Sequence, residues 1–122
     1  MLKRKYFIIH LLLLFVSCAP VVNYASFDET HRVAKSDSER IDIYTTAKSI
    51  PYKFKEIGII SVKYQGTIRT DSEILDIAKN KARSIGADGI LYVSENNIVE
   101  EFNNSSFQSN IAKFSAIIRL NE

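Results

Sequence analysis

One amphipathic helix is written into this chain, and it dictates what the rest can be. In TDSEILDIAKNKARSIGADG, residues 70–89, Thr70 and Glu73 stand at capping-box spacing. Each can satisfy an amide that the first helical turn leaves unpaired. Asp71 and Glu73 lie at the positive end of the helix dipole, and Lys79, Lys81 and Arg83 lie toward its negative end. Ile74, Leu75, Ala78, Ala82 and Ile85 recur at helical spacing and form one apolar stripe. The two alanines allow a close approach to whatever covers that stripe. Gly86 is placed to end the helix in the left-handed conformation. A one-striped helix must bury its stripe on another element, and the remaining sequence offers only strands.

RIDIY, residues 40–44, alternates, so Ile41 and Ile43 share a face. Pro51 favours an extended or turn conformation before it. KFKEIGIISVKY, residues 53–64, is rich in β-branched and aromatic residues and reads as a long strand. Its pattern changes phase: Ile57 and Ile59 share one face, Ile60 and Val62 the other. A bulge or burial on both sides accounts for that, and Gly58 marks a bend or a close backbone approach. GILYVS, residues 89–94, reads as a buried strand through Ile90 to Val93. IAKFSAIIRL, residues 111–120, points Ala112, Phe114, Ala116, Ile118 and Leu120 inward and Lys113, Ser115 and Arg119 outward. A structureless loop of the length between them would be unusual. Residues 95–110 therefore read as an extended hairpin with its tip at Asn103–Ser106, flanked by Phe102 and Phe107. The expected fold is α+β: one helix packed on a mainly antiparallel sheet of about four strands.

The chain opens MLKRKYFIIHLLLLFVSCAP. Lys3, Arg4 and Lys5 come first, an apolar stretch from Tyr6 to Val16 follows, broken only by His10, and Ser17 precedes Cys18. That is the layout of a secretory signal. The apolar run is too short for a span, which takes roughly 20 residues. Residues 1–17 are expected to be removed as a signal peptide. Residues 18–38 show neither helical nor strand periodicity and read as a flexible tether, with Val21, Val22, Tyr24 and Phe27 available to dock on the domain. The folded domain is expected over residues 39–122. His31 lies in the tether and receives no role.

FVSC, residues 15–18, resembles the lipobox of bacterial lipoproteins. The resemblance implies cleavage between Ser17 and Cys18, a diacylglyceryl group and a further acyl chain on Cys18, and a protein lipid-anchored in the cell envelope. Ala19, rather than aspartate, after the cysteine implies the outer membrane, facing the periplasm. The run from Glu56 to Leu120 is similar to small bacterial envelope domains of the RcsF- and YbjQ-like kind. Their helix carries small residues four apart and ends at a Gly-Ala turn; here these are Ala78, Ala82, Gly86, Ala87 and Asp88. The resemblance implies the fold, a role in reporting envelope stress or in assembly through an unknown envelope protein partner, and homo-oligomers as an option. The RcsF proteins carry disulfides, whereas Cys18 is the one cysteine of this chain.

The chain carries a formal charge of +2. Without Lys3, Arg4 and Lys5 it holds 13 basic residues against 14 acidic ones. That leaves no concentrated positive surface for nucleic acid. Catalysis needs converging titratable groups, and past the signal the chain offers one histidine and no spare thiol. Glu100 and Glu101 fall on opposite faces of a strand, and Asp71 and Glu73 serve a helix start. Gly58, Gly66, Gly86 and Gly89 are scattered and form no phosphate loop. The expectation is a non-catalytic protein-interaction module that needs no cofactor and no metal. The alternative is a small-ligand or metal-binding module that uses the sheet face and Tyr44, Tyr64 or Tyr92.

Overall fold

The computed structural model describes residues 20–65 and 71–121. Ser17, Cys18 and the capping Thr70 lie outside the described residues. The elements are β1 (Val21–Ser26), β2 (Asp42–Tyr44), a 3-10 turn (Ala47–Ser49), β3 (Phe54–Tyr64), α1 (Asp71–Ser84), β4 (Gly89–Phe102) and β5 (Ser105–Arg119). They form one five-stranded sheet in the order β1-β3-β5-β4-β2. β2 runs parallel to β4, and every other neighbour is antiparallel.

The sheet is larger than the four strands expected, and the added strand comes from the expected flexible tether. β1 pairs with β3 from Val21↔Lys63 to Ser26↔Gly58. Alternation turns Val22 and Tyr24 toward the helix side, where both pack on the core. Tyr24 donates its hydroxyl proton to the Ile57 carbonyl at 3.1 Å, and the Phe27 amide donates to the same oxygen at 2.9 Å. A Cβ on Gly58 would lie 2.5 Å from both the Ala25 oxygen and the Tyr24 ring. Gly58 is therefore the hollow that lets β1 close on the sheet, the close approach foreseen for it.

The chain after β1 is also bound. The Lys35 amide donates to the Arg83 carbonyl at 2.8 Å, and Arg83 Nε donates to the Glu39 carbonyl at 2.6 Å. The first of these adds a second donor to a carbonyl of the last turn of α1. Gly86 ends the helix with φ +76°, and a Cβ there would meet the Val33 oxygen at 2.7 Å. The Ala87 amide reaches the Ala82 carbonyl at 2.9 Å and Gly86 reaches Arg83 at 3.2 Å, the two bonds of a Schellman stop.

On its inner side α1 buries Ile74, Ala78 and Ala82. Leu75 and Ile85 are half-buried at the margin of the same core. Beneath lie Ile57, Ile60, Val62, Ile90 and Phe114, all buried, with Ile41 alongside. Ile57 reaches this face through a bulge: Glu56 pairs with Ile117 and Gly58 with Ala116, so Ile57 is the unpaired extra residue. The phase change in the sequence is thus a bulge, and it gathers Ile57, Ile60 and Val62 on one side.

The opposite face is half covered, which the single-faced reading of β5 did not anticipate. Ile50, Leu91 and Ile117 are buried there, with Tyr44, Tyr52 and Phe54 against them. Residues 44–54 supply this cover. Ser115 is accordingly buried rather than exposed. Three residues expected inside are outside instead. A second bulge in β4, between Tyr92 and Ser94, leaves Val93 51% exposed beside an exposed Tyr92, and Leu120 lies past the end of β5 at 42%.

Two substitutions test this packing with opposite signs. Gly58→Ala forces β1 off the sheet and is expected to cost about 1–3 kcal/mol in urea unfolding, with proteolysis first appearing within residues 21–30. Ser115 Oγ has no hydrogen-bond partner among the described residues. Ser115→Ala is therefore expected to leave stability unchanged or raise it by up to about 1 kcal/mol. A loss larger than that would show that the hydroxyl is satisfied.

Candidate functional site

β4 and β5 are longer than their neighbours, and the excess forms an arm. β3 ends at Tyr64, opposite Asn110 of β5. Pairing between β4 and β5 continues for five more residue pairs, from Ile98↔Ser109 to Phe102↔Ser105. At strand rise this projects the arm by roughly 17 Å. The turn is Asn103-Asn104, with φ of 49° and 64°. Two left-handed residues in a two-residue loop match the twist of the flanking strands, and asparagine tolerates that conformation. The hairpin is as read from the sequence, but its tip is tighter than the expected Asn103–Ser106: Ser105 and Ser106 already pair with Phe102 and Glu101.

Two side-chain bonds fix the root of the arm. Lys63 Nζ donates to Glu100, and the Tyr64 hydroxyl donates to Glu95. Burial, with the Glu95 bond second, pushes the Tyr64 phenol up to about 12, so it remains a donor at any ordinary pH. Register places Glu95, Asn97, Val99 and Glu101 on the helix side and Asn96, Ile98 and Glu100 on the other. Glu100 and Glu101 therefore diverge, as expected. Val21 pairs with Lys63 at this same end of the sheet.

The outer edge of β4 is open. β2 covers only Gly89, Ile90 and Leu91. From Tyr92 to Phe102 no strand lies beyond β4 among the described residues. The two exposed valines of this stretch are Val93 and Val99, the latter 65% exposed.

A cleft of about 330 Å³ lies between the end of β1 and the end of α1, lined by Tyr24, Asp28, His31, Arg32, Ser84 and Ile85. Its Asp28 and Arg32 are paired with one another. Arg32 donates through both terminal nitrogens to the two Asp28 oxygens at 3.1 and 3.0 Å, and Lys55 stands 3.7 Å from the same carboxylate. The Arg32 bond is the largest influence on Asp28 and, against desolvation, holds its carboxyl below the ordinary range. This is a latch for the loop after β1. Among the described residues, no three of His, Cys, Asp and Glu converge to hold a metal.

Asp88 is the residue whose role the sequence concealed. Its carboxylate takes a bond from Lys35 Nζ through one oxygen and from the Arg119 amide, at 2.6 Å, through the other. Its own amide donates to the Ile117 carbonyl at 2.8 Å. One side chain thus ties the turn after α1 to the N-terminal segment and to the end of β5. The motif residue was visible, but Lys35 stands 53 positions away and no local pattern links them.

The three tyrosines singled out for a ligand do not converge. Tyr44 is on the half-covered face, edge-on to Tyr52 with centroids 6.3 Å apart. Tyr64 and Tyr92 are on the helix side, Tyr92 edge-on to Phe114 at 5.9 Å. Tyr64 is turned to Glu95.

No family model matches the chain, and no curated protein matches it. The fold is similar to the crystal structure, in its orthorhombic form, of the Francisella virulence factor FvfA. The two share 15% identity with a TM-score of 0.56, over 80% of this chain and 97% of that one. At that identity the likeness describes the fold alone.

Burial raises the Asp88 carboxyl, but the Lys35 bond, the Arg119 amide and the charges of both residues outweigh it and hold it below 3.8. A depressed folded value adds stability that is present above about pH 4 and lost as pH falls through that value. Asp88→Asn is expected to cost roughly 1–2 kcal/mol at pH 7, and the gap from the native chain should close below pH 4. A gap that persists unchanged at pH 3 would assign the loss to packing instead.

Proposed function

We propose that this chain is a bacterial envelope lipoprotein, held by acyl chains on Cys18, whose domain binds another envelope protein and catalyses nothing. The lipobox-like FVSC supports the anchor. No helix among the described residues is long and apolar enough to cross a membrane. Burying acyl chains contributes about 0.8 kcal/mol per CH₂, and more than one chain is needed for a lasting hold. The RcsF- and YbjQ-like resemblance supports a place in the outer membrane facing the periplasm and a part in stress reporting or assembly.

The observation that carries the interaction reading is the long open edge of β4 on a projecting hairpin. Two of its glutamates, Glu100 and Glu95, are held in place by Lys63 and Tyr64, which suits a surface meant to be met rather than a site meant to react. Fixation of the N-terminal segment sharpens the picture. β1 begins at Val21, so Ala19 and Pro20 alone would separate the lipid from the sheet. Three residue steps reach at most about 11 Å. The domain would sit on the membrane, not on a long leash, with the arm at the anchored end.

Metabolic labelling with a clickable palmitate analogue tests the anchor: the native chain should take the label and Cys18→Ser should not. Equal labelling would remove the lipid from this reading. Amine-reactive crosslinking in intact cells tests the other half and should yield an adduct between this chain and a second envelope protein. The absence of any such adduct would overturn the interaction role.

A further inference from the structure

Proteins blunt exposed sheet edges with short strands, proline, lysine or bulges, because an open edge recruits further strands. The two edge strands of the sheet follow that rule. β1 is six residues long and follows Pro20, and β2 is three residues long. β4 does not. From Tyr92 to Phe102 its edge contains no lysine, arginine or proline, and its one bulge lies at the start, beside Val93. The backbone groups on that side face outward along the whole arm.

The charge of the strand selects what can pair with it. Glu95, Glu100 and Glu101 are its only charged residues. Glu100 is answered by Lys63, and Glu95 by the neutral Tyr64 hydroxyl. Two copies joined edge to edge would bring six carboxylates onto two adjacent strands that hold no basic residue between them, and like charges on neighbouring strands repel. An incoming strand with basic side chains meets the opposite situation.

We propose that the open edge of β4 is a strand-addition site for an extended, basic segment of a partner protein. This rests on the interaction reading above and supplies its partner class. The register gives the motif. Glu95, Val99 and Glu101 share the helix-side face. A paired strand therefore places basic residues opposite Glu95 and Glu101, six positions apart, with a β-branched residue between them opposite Val99. Main-chain bonds supply affinity in this mode, and alternate side chains supply selectivity.

The experiment is site-specific photocrosslinking in the native host, using the full chain with a benzophenone amino acid at Asn97. A second copy of the probe at Asp76, on the exposed side of α1, serves as reference. The expected result is an Asn97 adduct whose crosslinked peptide comes from another protein and carries basic residues at that spacing. Val99→Lys combined with Glu101→Lys should cut the yield at least tenfold without moving the thermal midpoint. An Asn97 adduct made of two copies of this chain, or one unaffected by the lysine pair, overturns the proposal. An adduct from Asp76 alone overturns it while leaving an interaction module with a different surface. No adduct from either position removes both readings.

Discussion

The distance between α1 and the sheet governs the fold. Ala78 and Ala82 have no exposed surface, and the helix lies directly over Ile57, Ile60 and Phe114. Side chains this small leave the backbones close enough for one helix to seal the middle of a five-stranded sheet. The seal then sets the position of the turn at the helix end. Gly86 sends the chain back, Ala87 is buried, and Asp88 arrives where the N-terminal segment and the end of β5 meet. A larger residue at either alanine would lift the helix and move Asp88 away from both of its partners.

That part of the architecture was legible because its signals are local. Stripe and stop occupy one unbroken stretch, and each is interpreted by neighbours within four or five residues. The bulge in β3 was legible for a related reason, since the apolar period slips where the backbone does. β1 was not legible. Val22 and Tyr24 are too few to establish a period, and what holds them is a hollow at Gly58 and a carbonyl at Ile57, more than thirty residues on. The second cluster failed for another reason. Reading β5 as a strand with one dry face left no room for Ile50, Tyr52 and Phe54 to cover the other.

The candidate site divides in the same way. The hairpin and the divergence of Glu100 from Glu101 follow from sequence, because a polar turn between two strand-like runs and a period of two suffice; the exact two-residue turn does not, since Ser105 and Ser106 read equally well as loop or strand. The openness of the β4 edge does not. It depends on β2 being only three residues long, and RIDIY gives no sign of where its pairing stops. The bonds from Lys63 and Tyr64 likewise depend on a register between β3 and β5 that only the assembled sheet defines.

β5 stands at the centre of the sheet, yet it is the last strand in sequence. β3 and β4 each pair with it and not with one another, while β1 reaches the sheet only through β3 and β2 only through β4. Until β5 is available, the chain holds two separate fragments with a helix that has nothing continuous to lie on. Folding therefore waits on the final strand, beginning with the β4–β5 hairpin, whose closure is local, and ending with the distant pairings Tyr64↔Asn110 through Phe54↔Arg119. A chain with this order cannot complete its sheet for as long as its C-terminal strand is withheld, and an incomplete sheet is the easier cargo for a narrow pore.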